Sequence, residues 1–314
     1  MVEPPEHPPT HARPVPSEPG RVVVAGGTGL IGRNLVPALH AAGHEVVVLT
    51  RRERGASEHA RYQRWNPGQP GDWQQTLAGA HAVVNLCGAS IGDGRWTPAR
   101  KRELVESRTG PSRALVQACN ALERPPAVLL QASGVNYYGT GEDERSEDDP
   151  PGSDFLAELS IDWEAPLANT PIRTVALRFG VVLDRQGGAL TQMLLPFRLF
   201  AGGPVAGGRQ WLSWIHIHDA VAAILFVMDS PLTDAVNVTA PRPVRNADFA
   251  RSAGRALHRP ALLPLPGFVL RAALGEQATL ICDGVHAVPG RLEGAGFQFA
   301  FPDIGPALDD LTGP

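Results

Sequence analysis

RVVVAGGTGLIG, residues 21–32, reads as three pieces of backbone in succession. Arg21–Val24 is a Val-rich run, the mark of a short strand buried on both faces. Gly26, Gly29 and Gly32 follow, three apart. The residues after them, Arg33–Ala42, are apolar at helical spacing and stop at Gly43. A strand, a glycine turn and a helix start together make a seat for a dinucleotide pyrophosphate. The missing Cβ atoms let backbone approach phosphate, and the N–H groups of a helix N-terminus favour negative charge. A glycine turn in an ordinary α/β unit is the alternative. Pro37 removes a hydrogen bond inside the helix and predicts a kink.

Outward from this corner, strand and helix patterns alternate. Glu45–Thr50 (EVVVLT) is a second strand, with Arg51 and Arg52 at its tip. A Rossmann unit meets the adenosine ribose at that tip: an acid there bonds the 2′-hydroxyl, whereas arginine pairs with a 2′-phosphate. No acid stands at 50–52, so the expected cofactor is NADP(H); the alternative is that both arginines are merely solvated. His81–Leu86 is a strand running into Cys87, 98–122 a helix carrying Glu103 and Arg108, and Ala127–Ala132 a strand ending in Ser133–Gly139. An acidic loop at 141–153, a helix at Phe155–Leu167 and a strand at Arg173–Leu177 complete the series. Strands separated by helices mean βαβ units and a parallel sheet.

Beyond Gly187 the alternation breaks down. Met193–Phe200 is helical, Trp214–Ile217 a short strand, Asp219 the cap of a helix at 220–229, and FQFAF (297–301) a final strand. The expected organisation is a Pro-rich disordered tail at 1–19, a Rossmann-like domain at 20–186 and a substrate-side C-terminal region at 187–314, with 219–240 returning to the Rossmann core. The tail holds seven prolines and has neither an apolar core nor a cleavage site, so it reads as disordered and not as a secretory signal. No apolar run is long enough to span a bilayer.

The chain has 28 basic and 32 acidic residues, a net charge of −4 that gives no general pull toward nucleic acid or anionic membrane. Its three cysteines are far apart, which offers neither a disulfide framework nor a zinc site and suits a reducing cytoplasm. No metal is expected, and the partner is a small-molecule substrate bound by a monomer or homodimer.

Taken together, these motifs resemble the extended short-chain dehydrogenase/reductases. More closely, they are similar to the atypical, epimerase-like NADP-binding branch with a DUF1731-type C-terminal region. The resemblance rests on GGTGLIG (26–32), NLCGASI with GRW (85–96), SR (107–108), YYG (137–139), DFL with WE (154–164), RFGVVL (178–183), GGAL…LLPFRL (187–199), SWIHIHD (213–219) and VPG…GF (288–297). It covers about residues 21–310. It implies a doubly wound parallel sheet with a smaller, partly helical substrate-side region. Residue by residue, it implies cofactor contacts from Gly26, Thr28, Gly29, Leu30, Ile31 and Gly32. Thr50 and Arg51 would meet the adenosine 2′-phosphate, Leu86 and Cys87 line the crevice, and Glu103 and Arg108 reach it from the next helix. Val182 would lie near the nicotinamide.

The chain departs from the wider group at the catalytic pair. There a Tyr-x-x-x-Lys pair moves the substrate proton while hydride moves to or from nicotinamide. Lys101 is the only lysine and has Thr97 four residues before it; Tyr62, Tyr137 and Tyr138 are followed at that distance by Asn66, Gly141 and Glu142. The serine or threonine usually found four residues before the tyrosine of the Tyr-Gly step is Gly134, with Ser133 one step off. Leu212 stands where sugar-nucleotide enzymes carry a diphosphate-gripping arginine, four before His216, and Arg209 is out of register.

The remaining candidates for proton chemistry are Ser133 and Tyr138, at the C-terminal end of a sheet strand. The alternative is that one of Tyr137 and Tyr138 packs and the other bonds backbone. His216 reads as a structural histidine, Glu164 as a helix-surface or ion-pairing residue, and Arg95 and Trp96 as a loop that helps enclose a ligand. Two functions follow. One is an NADP(H)-dependent oxidoreductase or epimerase acting on a small carbonyl or hydroxyl compound; the other is a non-catalytic NADP(H)-binding sensor or regulatory module.

Overall fold

The computed structural model describes residues 19–313; the expected disordered tail lies, except for Pro19, outside the described residues. The glycine-loop strand β1 (Arg21–Ala25) sits inside a seven-stranded sheet and leads into α1 (Leu30–Ala41). β2 (Glu45–Thr50) and β3 (Arg61–Arg64) lie on one side of it. On the other side come β4 (Ala82–Asn85), β5 (Val128–Gly134), the strand Arg173–Phe179 and the edge strand Asp234–Val238. Every pairing in this sheet is parallel. The chain winds outward from β1 in both directions, so the strand order reverses between β1 and β4. In open α/β sheets the ligand crevice forms at that reversal, beyond the carboxyl ends of the strands.

Alternation along β1 divides the core into two layers. Val22 and Val24 point to one face, where Leu35 and Leu39 of α1 and Ile224 and Val227 of the helix Ile217–Asp229 cover them. Val23 and Ala25 point to the other, against Leu115 and Cys119 of α2 (Pro98–Asn120) and Leu167. Residues 22–25 are fully buried, which is why the strand reads as an unbroken apolar run. The C-terminal helix Ile304–Thr312 joins the first layer through Ile304 and Leu308. None of the described helices is long and apolar enough to cross a membrane.

The element boundaries differ from expectation in ways that have local causes. α1 begins at Leu30 instead of Arg33 and runs through Pro37 to Ala41. The helix expected at Phe155–Leu167 is α3 (Phe155–Glu164), continued by a 3-10 turn over Ala165–Asn169 that Pro166 favours by removing an N–H. The acidic loop contains a two-residue strand, Glu144–Arg145, paired with His286–Ala287. FQFAF is not a strand, because its backbone is claimed by a side chain. The Asp219 carboxylate accepts the N–H groups of Ala300 and Phe301 at 3.0 and 2.8 Å. Asp219 is therefore not the helix cap. That helix starts at Ile217, three residues earlier than expected, and its N-cap is His216, whose Nδ1 accepts the His218 N–H at 3.1 Å. β3, a short edge strand with few apolar residues, was not legible at all.

Candidate functional site

The β1–α1 corner is built from backbone. Gly26 turns at φ 79°, and a Cβ there would stand 2.7 Å from the Leu86 carbonyl carbon at the end of β4. At Gly32 a Cβ would lie 2.5 Å from Gly27 Cα and 2.6 Å from Gly26 O. Larger residues are thus excluded on packing grounds, independently of any ligand. No side chain caps the α1 N-terminus at Gly29, so its first N–H groups are left for an anion. Thr28, Leu30 and Ile31 complete this turn.

Around the corner lie the other residues expected to meet the cofactor. Arg51 is exposed at the tip of β2, beside Thr50, whose Oγ1 accepts the Arg52 N–H. Cys87 follows β4, with its N–H held by Asn85 Oδ1 at 3.1 Å. Burial pushes the Cys87 thiol up to about 12, against the pull of the nearby Arg51 charge, so it stays protonated and is no nucleophile at neutral pH. Arg108 is buried against Gly88, donates to the Ala89 and Leu104 carbonyls at 2.9 and 3.0 Å, and lies over the Trp163 ring. Burial, with Arg100 nearby, brings its pKa down to about 10, and its Nε has no hydrogen-bond partner. Glu103 instead turns to solvent and pairs with Arg100 at 2.6 Å. Trp96 packs edge-on to Phe155 and Arg95 lies near Gly275.

A second corner lies between β5 and the strand Arg173–Phe179, and it is made of side chains. Ser133 and Arg178 are register partners. Glu164, at the end of α3, accepts from Ser133 Oγ at 2.6 Å and from Arg178 Nε and Nη2 at 2.9 and 2.8 Å. Arg178 Nη1 also donates to Tyr138 Oη at 3.0 Å, and that hydroxyl donates to Asn237 Oδ1 at 2.7 Å. Tyr137 offers its ring to the guanidinium at 3.4 Å. Burial works against the Arg178 charge, but Glu164 and the tyrosine oxygen outweigh it and move the pKa up. Burial pushes the Tyr138 hydroxyl up to about 12, with Arg178 opposing. The alternative arrangement of the two tyrosines holds in part: Tyr137 packs, but on a cation, and Tyr138 bonds side chains and not backbone.

The two corners are clasped together. After the strand Val181–Leu183, Asp184 reaches back to α1 and accepts from Arg33 Nη2 at 2.8 Å and Asn34 Nδ2 at 3.2 Å. Gly188, at φ 71°, lies against Leu30, where a Cβ would be 2.7 Å from Cδ2. Val182 is partly buried between them, paired with Ile215. His216 is structural: its ring stacks on Phe301 and Nε2 meets Asp310 at 3.1 Å.

Sequence reasoning missed Arg178 and Asn237; of the two readings of Glu164, helix surface or local ion pair, the structure gives the ion pair, with Arg178 as its partner. One signal was available. Arg178 is a charge in a strand that otherwise reads as core, and a buried charge requires a partner.

Strand order, crevice and glycine corner define a doubly wound, Rossmann-like α/β protein with an anion seat at its switch point. The chain belongs to the NAD dependent epimerase/dehydratase family, which matches residues 22–239, and residues 265–311 match the domain of unknown function DUF1731. It is 42% identical over 298 residues to epimerase family protein Mb2239 of Mycobacterium bovis, covering 93% of this chain and 97% of that one. It is 40% identical over 300 residues to the chloroplastic epimerase family protein SDR39U1 homolog of Arabidopsis thaliana, covering 91% and 85%. Among solved structures it resembles human epimerase family protein SDR39U1 (isoform2), crystallised with NADPH. The TM-score is 0.83 at 35% identity, over 93% of this chain and 99% of the human one.

Proposed function

We propose that this chain is an NADP(H)-dependent oxidoreductase or epimerase-like enzyme acting on a small carbonyl or hydroxyl compound. The observation that carries the reading is the β1–α1 corner: two glycine positions closed to any Cβ, an uncapped helix N-terminus and an exposed arginine at the next strand tip. These features fit a pyrophosphate and an adenosine 2′-phosphate, and the similar human protein was crystallised with NADPH. Gly26, Thr28, Gly29, Leu30, Ile31 and Gly32 would hold the pyrophosphate, and Thr50 and Arg51 the 2′-phosphate. Leu86, Cys87 and Val182 would shape the crevice by backbone and packing. Arg108 supplies a buried guanidinium with one N–H still to be satisfied.

A bound nicotinamide would supply hydride exchange at the substrate carbon. The chain's own part is to move the proton on the substrate oxygen. In the oxidative direction that proton passes to Ser133 Oγ as the serine proton passes to Glu164 Oε1, 2.6 Å away; reduction reverses both transfers. Tyr138, held protonated, gives its one proton to Asn237, steadies Arg178 behind Glu164 and does not act as a base. The reading gives Ser133 the substrate-facing role, makes Glu164 the proton acceptor behind it and leaves Tyr138 a positioning role through Arg178.

The second reading, a binding module that senses NADP(H) without turnover, is favoured by the missing Tyr-x-x-x-Lys pair. The only lysine is bound to Glu276 at 2.6 Å. Titration of the protein with NADPH and NADH, followed by absorbance and cofactor fluorescence over a panel of carbonyl compounds, separates the two. The enzyme reading expects tighter NADPH binding, and NADPH oxidation that Ser133→Ala abolishes while leaving NADPH affinity intact. Binding without oxidation across the panel establishes the module instead. Equal affinity for both nucleotides removes the NADP(H) assignment.

A further inference from the structure

Ten large apolar side chains are exposed among the described residues, and nine of them fall in two segments, 195–200 and 262–281. The segments touch. Leu263 N bonds Gly202 O at 3.1 Å, and Ala206 N bonds Leu265 O at 2.9 Å. Leu199, Phe200, Leu262 and Phe268 are 68, 59, 80 and 74% exposed, so they stand free of the surface. The helix Gly267–Leu274, FVL and AAL around one arginine, contains no buried residue. Soluble monomers rarely leave this much contiguous apolar surface without a use for it.

The same surface is cationic. Arg251, Arg255, His258 and Arg259 line an open hollow whose edge is Leu262. Arg259 lies over the Phe200 ring at 4.4 Å. Arg251 pairs with Asp248 and Arg271 with Asp283, but among the described residues no carboxylate pairs with Arg198, Arg255 or Arg259. The net charge of −4 conceals this cluster, whose arginines outnumber the nearby acids Asp248 and Asp283.

We propose that this face docks on the surface of an anionic phospholipid bilayer. Leu199, Phe200, Leu262 and Phe268 would enter the acyl boundary, while the arginines meet phosphate headgroups. Apolar projections flanked by arginine are what holds a protein in the interfacial plane without spanning it. Charge argues against a second copy as occupant, since two such rims would face each other with like sign. It also favours a lipid phosphate over a neutral headgroup, because no carboxylate among the described residues neutralises Arg198, Arg255 or Arg259. The inference does not depend on the nucleotide reading.

Co-sedimentation of the full-length protein with phosphatidylglycerol vesicles, against phosphatidylcholine vesicles, tests it. Binding is expected with the first only, weakened by added salt. Leu262→Ser with Phe268→Ser should abolish it. Arg198→Gln, Arg255→Gln and Arg259→Gln should each reduce it about fivefold, with thermal unfolding unchanged because all five positions are exposed. The proposal fails if phosphatidylglycerol vesicles leave the protein in solution at low salt, or if these substitutions do not alter binding. It fails equally if light scattering shows a dimer that Phe268→Ser dissociates, or if the face is retained by polyglutamate but not by vesicles.

Discussion

At the β1–α1 corner the chain presents main-chain N–H groups and space that no Cβ can enter. At the β5 corner it presents Ser133, Tyr138, Glu164, Arg178 and Asn237, joined by hydrogen bonds of 2.6–3.0 Å. The first corner is made of residues within a dozen positions of one another. The second joins residues as far apart as 99 positions, Tyr138 to Asn237. A backbone site depends on what is missing from its residues, whereas a side-chain network depends on every member being present. The two should therefore fail differently when perturbed.

The largest effect is expected at the network. Glu164→Leu leaves the Arg178 guanidinium buried without its carboxylate, and loss of one member of a buried pair costs about 3–5 kcal/mol. Glu164→Leu with Arg178→Met removes the stranded charge and should return most of that stability, as apolar replacements of buried pairs commonly do. Chemical denaturation of the single and double variants measures both. A loss below about 1 kcal/mol in the single variant would mean that the pair is screened as at a surface, and the contrast between the corners would collapse.

At the glycine corner, Gly32→Ala drives a methyl group to 2.5 Å from Gly27 Cα. Overpacking against backbone costs about 1–3 kcal/mol or more, and here the same displacement spoils the anion seat, so NADPH binding should vanish along with the stability. Arg51→Ala sharpens the comparison because it leaves the backbone alone. It should cost NADPH about 1.5–3 kcal/mol of binding, tenfold or more, and leave NADH affinity and thermal stability unchanged. Loss of affinity for both nucleotides alike would move the arginine away from the 2′-phosphate.

This difference also explains what was legible in the sequence. Gly26, Gly29 and Gly32 announce themselves by spacing, and β1 by its unbroken valines, because both are local patterns. That the strands run parallel followed from their alternation with helices. Glu164 was legible only as a helix-surface or ion-pairing residue, since its particular partner belongs to a strand that folding alone brings alongside. Asp219 shows the same limit: aspartate before an apolar run is a good helix cap, yet its carboxylate is used 81 residues away by Ala300. Exposure was the least legible property. Met193–Phe200 read only as an apolar helix, and the exposure of its leucines and of those at 262–268 follows only from their positions in the fold.

The smallest expected effect lies where the two corners meet. Burial alone would raise the Asp184 carboxyl, but the Gln186 N–H, Arg33 and Asn34 outweigh it and hold the group below its ordinary value of 3.8. A carboxylate depressed on folding contributes stability that is full above its ordinary pKa and is lost as pH falls through the folded value. Arg33 is 37% exposed, so solvent screens the pair and the clasp is worth about 0.2–1 kcal/mol. Asp184→Asn should therefore lower stability by that amount at neutral pH, and the gap to the parent should close as the pH is taken below about 4. Thermal unfolding of both proteins over that range makes the test. A gap that persists in acid belongs to packing of the Asp184 turn against α1. In that case Gly188 on Leu30, and not the ion pair, holds the nucleotide corner to the strand that carries Val182.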